Sequence, residues 1–126
     1  MKFPYDKHYF PPAPTITVRL APPAEPFQTT TIPALVDTGA DASIVPFAYI
    51  EPLSLQADNR KYLRSQWGER RVVDTYMVDI EIGDLRFPFV EIIADELGDE
   101  VILGRNLLNK LRLTLDGPNE LMKISG

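Results

Sequence analysis

The chain has 126 residues, 13 lysines and arginines against 18 aspartates and glutamates, no cysteine and a single histidine, for a net charge of −5. That length suits one domain able to bury its own core. The composition excludes disulfides, zinc–thiolate sites, thiol nucleophiles and histidine-rich metal centres. An acidic chain without a basic run is a poor partner for nucleic acid or an anionic membrane. No apolar stretch approaches the roughly 20 residues that span a bilayer, and residues 1–6 lack the apolar run of a signal peptide, so a cytoplasmic location is expected. His8, in Tyr5-Asp6-Lys7-His8-Tyr9, has no nucleophile turn near it and reads as a surface residue.

Twelve prolines cluster in two places, Phe10–Pro14 and Ala21–Pro26. Such segments favour extended backbone and are kept out of central strands. Residues 1–14 read as an extended arm, and residues 15–126 as the folded domain. Thr15–Leu20 alternates with period two and predicts a half-buried strand. Ala21–Pro26 is a loop, and Phe27–Val36 is β-branched and predicts the next strand. Asp37-Thr38-Gly39-Ala40-Asp41 breaks the pattern with turn formers. Ser43–Val45 is a short strand and Phe47–Leu55 a helical turn. Alternation resumes at Tyr62, and Gly68 marks the tip of a hairpin whose second arm runs to Ile82. Gly83-Asp84 is a turn, Leu85–Ile93 a strand, residues 94–100 an acidic loop, and Val101–Leu103 a buried strand. Gly104–Leu111 has leucines at helical spacing. Leu111–Leu115 and Glu120–Ile124 are strands around the turn Asp116–Asn119. The pattern is mostly β with one short C-terminal helix, dense enough in strands to close or sandwich a sheet.

Two motifs carry chemistry. In Ala34-Leu35-Val36-Asp37-Thr38-Gly39-Ala40-Asp41 a carboxylate leaves an apolar strand and enters a tight turn, where Gly39 lets the backbone approach something closely. Asp-Thr-Gly alone arises by chance in a few per cent of chains this long, roughly; the flanking apolar triplet and Ala40-Asp41 add the specificity. In Val101-Ile102-Leu103-Gly104-Arg105-Asn106-Leu107-Leu108 apolar residues run into Gly-Arg-Asn at a helix start, which in isolation is a packing element.

In this order, the two motifs resemble the retropepsin family, the single-domain aspartic proteases, from about Thr15 to Ile124. The resemblance implies a closed acid-protease β-barrel with a flap hairpin. It implies an endopeptidase acting on peptide or protein substrates, without metal or cofactor. One Asp-Thr-Gly per chain implies a homodimer about a two-fold axis, with Asp37 as the catalytic carboxylate of each half. Two charges about 3 Å apart repel by roughly 5 kcal/mol at an effective dielectric near 20, so such a pair shares one proton, and aspartic proteases are the standard instance of that effect. One carboxylate then acts as base on a water and the other as acid on the scissile amide. Thr38 is expected to hydrogen-bond across the axis, Gly39 to offer backbone to substrate, and Ala40 to complete the turn. Asp41 and Arg105 match an ion pair beneath the site, with Gly104 and Asn106 supporting it. The flap corresponds to Gln66, Trp67, Gly68 and Glu69, poorer in glycine than viral flaps. Viral members interleave an N-terminal strand with the partner's C-terminus; this chain departs from that pattern, with a longer proline-rich arm before Thr15, and Leu121–Ile124 is the strand expected to pair across the axis. Val45, Leu97 and Ile102 are the candidate apolar walls. The alternatives are a catalytically silent module that keeps this fold for dimerisation or peptide binding, and a monomer with an incomplete site.

Overall fold

The computed structural model describes residues 1–64 and 67–126. Ten strands run in chain order: β1 (Lys2–Pro4), β2 (Thr15–Ala21), β3 (Ile32–Val36), β4 (Ser43–Pro46), β5 (Asn59–Arg64), β6 (Arg70–Ile82), β7 (Leu85–Asp95), β8 (Val101–Leu103), β9 (Arg112–Asp116) and β10 (Leu121–Ser125). Two helical turns interrupt them, α1 (Phe47–Ile50), continued by a 3₁₀ turn over Glu51–Leu53, and α2 (Arg105–Leu108).

Six strands close a barrel in the order β2-β3-β8-β4-β7-β6, with β6 pairing back onto β2. Closure removes every edge from that ring. β2 shows why the sequence does this: Ile16, Val18 and Leu20 are buried on one face while Thr17 is exposed. Each such side chain contributes roughly 1.5–3 kcal/mol on leaving water. Val78, Ile80, Ile82 and Ile92 fill the same core from β6 and β7. β3 and β8 pair in parallel, as do β4 and β7. These pairings send the end of β3 and the start of α2 to one place.

Asp79 is the buried charge of this core, 1% exposed, at a register shift between Val78 and Ile80. It accepts hydrogen bonds from the Ala24 and Phe89 amides at 2.9 and 3.0 Å and from Arg86. Ala24 and Phe89 both have positive φ, 64° and 51°, a cost for non-glycine residues that charge-assisted bonds offset. Burial pushes the Asp79 carboxyl up, but the Arg86 hydrogen bond and the two amides outweigh it and hold it below its usual range. The Arg86 guanidinium also lies 4.3 Å from the Phe27 ring centroid.

That contact explains one difference from the sequence reading. The strand expected over Phe27–Val36 begins only at Ile32, because Phe27 is turned onto Arg86 and Arg19. The helix expected over Gly104–Leu111 is one turn, Arg105–Leu108. The hairpin with arms β5 and β6 forms as expected, and the Gly83-Asp84 turn joins Ile82 to Leu85.

The arm is the larger difference. Residues 2–4 form a strand in a separate three-stranded sheet of order β1-β10-β9, and Asp6 bridges to Ala13. Tyr9 donates its hydroxyl to Glu100, which with partial burial raises the phenol to about 12. β10, the strand expected to pair across the axis, has both edges taken within its own chain.

Candidate active site

β3 delivers Asp37. Leu35 and Val36 pair with Ile102 and Leu103 of β8. One residue further, the Asp37 N–H donates to the Leu103 carbonyl at 3.1 Å, so the parallel ladder fixes the aspartate's own backbone. The chain then turns. The Ala40 N–H donates to the Asp37 carbonyl at 3.2 Å, and the Gly39 N–H to Asp37 Oδ1 at 2.9 Å. This Asx-type closure restricts the carboxylate's rotation. A Cβ on residue 39 would sit 3.2 Å from Asp37 Oδ1, crowding the carboxylate. Asp37 is half-buried, while Thr38 and Gly39 lie exposed at the turn's tip.

α2 supports the turn from below. A Cβ on Gly104 would lie 2.3 Å from the Ala42 carbonyl oxygen and 3.0 Å from that of Ala40. Only glycine lets these backbones pass. The Arg105 N–H donates to the Ala40 carbonyl at 2.8 Å, and Arg105 Nη1 to the Thr38 carbonyl at 2.9 Å. Asn106 Nδ2 reaches the Glu91 carbonyl on β7 at 2.8 Å. Its Oδ1 accepts from Ser43 Oγ at 2.8 Å, and Ser43 Oγ in turn accepts from the Gly104 N–H at 3.0 Å.

The structure thus gathers Asp37, Thr38, Gly39, Ala40, Gly104, Arg105 and Asn106 into one hydrogen-bonded unit. The expected Asp41–Arg105 ion pair does not form. Asp41 is exposed and has no ion pair among the described residues. The Arg105 guanidinium takes the Thr38 carbonyl instead, and a solvated carboxylate gains little from pairing. Ser43, 0% exposed, is the residue the sequence reading missed. Its only signal was a hydroxyl two positions after Asp41 at the start of an apolar strand. Val45 is a core residue, fully buried, and walls nothing; Ile102 is half-buried and Leu97 exposed.

Of the expected flap residues, Trp67, Gly68 and Glu69 are exposed at the end of the β5–β6 hairpin, with Gly68 at φ 81°. Gln66 lies outside the described residues. No group of His, Cys, Asp or Glu suited to a metal ion occurs among the described residues, and no helix there is long and apolar enough to cross a membrane.

The family model for the gag-polyprotein putative aspartyl protease matches residues 27–110, about two thirds of the chain and both motifs. The chain belongs to this retropepsin-like family of aspartic proteases. No curated protein sequence matches it. Its fold is similar to the crystal structure of a retropepsin-like aspartic protease from Rickettsia conorii, with a TM-score of 0.65 over 100% of this chain and 92% of that one. Identity between the two is 16%. The mostly β, closed-barrel architecture is therefore the retropepsin-like fold, reached by a sequence with little else in common.

Proposed function

We propose that this retropepsin-like protein is an aspartic endopeptidase whose site is completed by Asp37 from each of two chains. The carrying observation is the anchoring of Asp37: its N–H is tied to Leu103, its carboxylate to Gly39, and the carbonyl of the next residue to Arg105. A carboxylate preset in this way needs little reorganisation at the moment of reaction. Two such turns facing across an axis would hold a shared proton and a water between them. One carboxylate takes a proton from the water as it attacks the scissile carbonyl, and the protonated one donates to the carbonyl oxygen. In this reading Thr38 links the two turns, Gly39 contacts substrate backbone, Asp41 stands free to meet substrate, and the hairpin through Trp67, Gly68 and Glu69 closes over a peptide or protein substrate. A cytoplasmic site of action belongs to the same reading, and the cysteine-free composition is compatible with it.

The test is cleavage of an unfolded protein substrate across pH. Activity should peak in acid, where the dyad holds one proton, and fall as rising pH removes it. Asp37→Asn should lower kcat at least a thousandfold with the melting temperature nearly unchanged. A variant that cuts as fast as wild type would sink the proposal. Peptide binding without cleavage by the wild type would favour the silent module.

A further inference from the structure

The cations of this acidic chain are unevenly spread. Residues 60–71 hold five of its 13 lysines and arginines (Arg60, Lys61, Arg64, Arg70 and Arg71) and one of its 18 carboxylates, Glu69. They lie on the β5–β6 hairpin, and the strand register shows which way each turns. Directly paired residues share a face. Leu63 and Arg71 are paired, and Val73, two residues on along the same face, is 6% exposed. The Tyr62–Val72 pair on the other face is 74% and 52% exposed. Arg71 therefore turns towards the barrel.

Between the hairpin and the loop after β7 lies a cavity of about 490 Å³, lined by Leu63, Arg64, Glu69, Arg70, Arg71 and Leu97. Three arginines against one glutamate give it a positive field. Arg64 and Arg70 have no carboxylate partner among the described residues, whereas Lys61 is taken by Glu91. Arg71 is held in place but not used up. Its Nη2 donates to Asp95 Oδ1 at 3.2 Å, and the Leu97 N–H fixes that same oxygen at 2.9 Å. This bond takes one of the five N–H donors of the guanidinium, and the Arg71 side chain stays 40% exposed. A peptide covering such a cation desolvates it, at a cost that a second carboxylate offsets by bidentate pairing. Leu97, 80% exposed, offers apolar surface to the methylenes of that group.

We infer that this cavity selects an acidic side chain, glutamate or aspartate, on the bound peptide, with Arg71 as the specificity-determining residue. The inference rests on the endopeptidase reading above and adds its substrate class. β7 sets the distance. Asn106 of the floor bonds the Glu91 carbonyl, and Arg71 bonds Asp95 at the end of the strand. Four extended residues separate the two, about 13 Å. The carboxylate is therefore expected at one fixed position, within about four residues of the scissile bond.

The test uses peptide mixtures with glutamate or glutamine fixed at each position in turn, at about pH 5.5, where a substrate glutamate is ionised. At one position wild type should cleave the glutamate mixture with about tenfold higher kcat/KM than the glutamine mixture, and added salt should shrink the ratio. Arg71→Gln should bring the ratio close to one, and Arg71→Glu should turn the preference at that position towards lysine. A merely structural role for Arg71 would slow both mixtures alike and keep the ratio, which overturns the inference. A wild type that cleaves both mixtures equally also overturns it, and the endopeptidase reading then stands. A wild type that cleaves neither overturns that reading, and the same mixtures are then titrated against the fluorescence of Trp67, the chain's single tryptophan. Tighter binding of the glutamate mixture, lost in Arg71→Gln, supports the acidic-side-chain site; equal binding overturns it. Oligothymidylate that binds through Arg71 where the glutamate mixture does not would assign the arginines to nucleic acid and overturn the inference.

Discussion

The floor of the candidate site and the β5–β6 hairpin are built from opposite materials. At the floor, Ser43, Gly104 and Leu103 are buried, and successive hydrogen bonds run from Asp37 through α2 to β7. Along β5, five of six residues are exposed. At its end Arg64 pairs directly with Arg70 on β6, a like-charge pair that weakens a ladder. β6 itself spans both regimes, from that exposed end to Asp79 in the core. The lesson is about the cost of movement. Shifting the floor breaks several linked hydrogen bonds at once, whereas opening the hairpin exposes little apolar surface. The proposed catalytic role of Asp37 calls for the first property, and the proposed closing of the hairpin for the second.

The sharpest way to break this contrast is Gly104→Ala. The new methyl meets two carbonyl oxygens that cannot swing aside, so a loss of more than about 3 kcal/mol is expected by thermal melting, together with loss of activity. Full stability would mean the floor is softer than its packing implies.

Asp79→Ala should cost about 2–3 kcal/mol at neutral pH, since it strands Arg86 and the two amides. The effect has a defined pH sense. The folded carboxyl lies below its unfolded value of about 3.9. Its contribution is therefore fully present above about pH 4 and fades as pH falls through the folded value. Wild type and variant melts should converge as pH falls below the folded value. Parallel curves would remove Asp79 from the acid limit of stability.

Ser43→Ala leaves the Gly104 N–H without its acceptor and should cost about 1–2 kcal/mol. Here kcat should fall more than KM rises, because the floor positions Asp37 and not the substrate. Smallest is Arg70→Glu, which turns the repulsive pair into an attractive one. It should change global stability by less than about 0.5 kcal/mol while slowing amide exchange at Tyr62 and Val72. A large change in the melt would show the hairpin to be part of the core.

Most of the barrel was legible because strand alternation writes burial directly into sequence, as in Ile16, Val18 and Leu20. The turn at Asp37 and the Gly104 approach were legible because few residue types tolerate them. Ser43 was not, since a single serine carries no sign of which distant amide it will meet. The Phe27 segment misled because its β-branched residues fit a strand, and only the fold brings Arg86 beneath that ring.

Read alone, the sequence determined that this is an acidic, cysteine-free, mostly β chain, and its two motifs carried the resemblance to the retropepsin family. Those properties live in local pattern and in short motifs. Only the tertiary structure decided that Arg105 serves the Thr38 carbonyl and not Asp41, and that β1 closes on β10, leaving β9 as the open edge. Both are choices among partners far apart in the chain, settled by which groups the closed barrel brings within hydrogen-bonding reach.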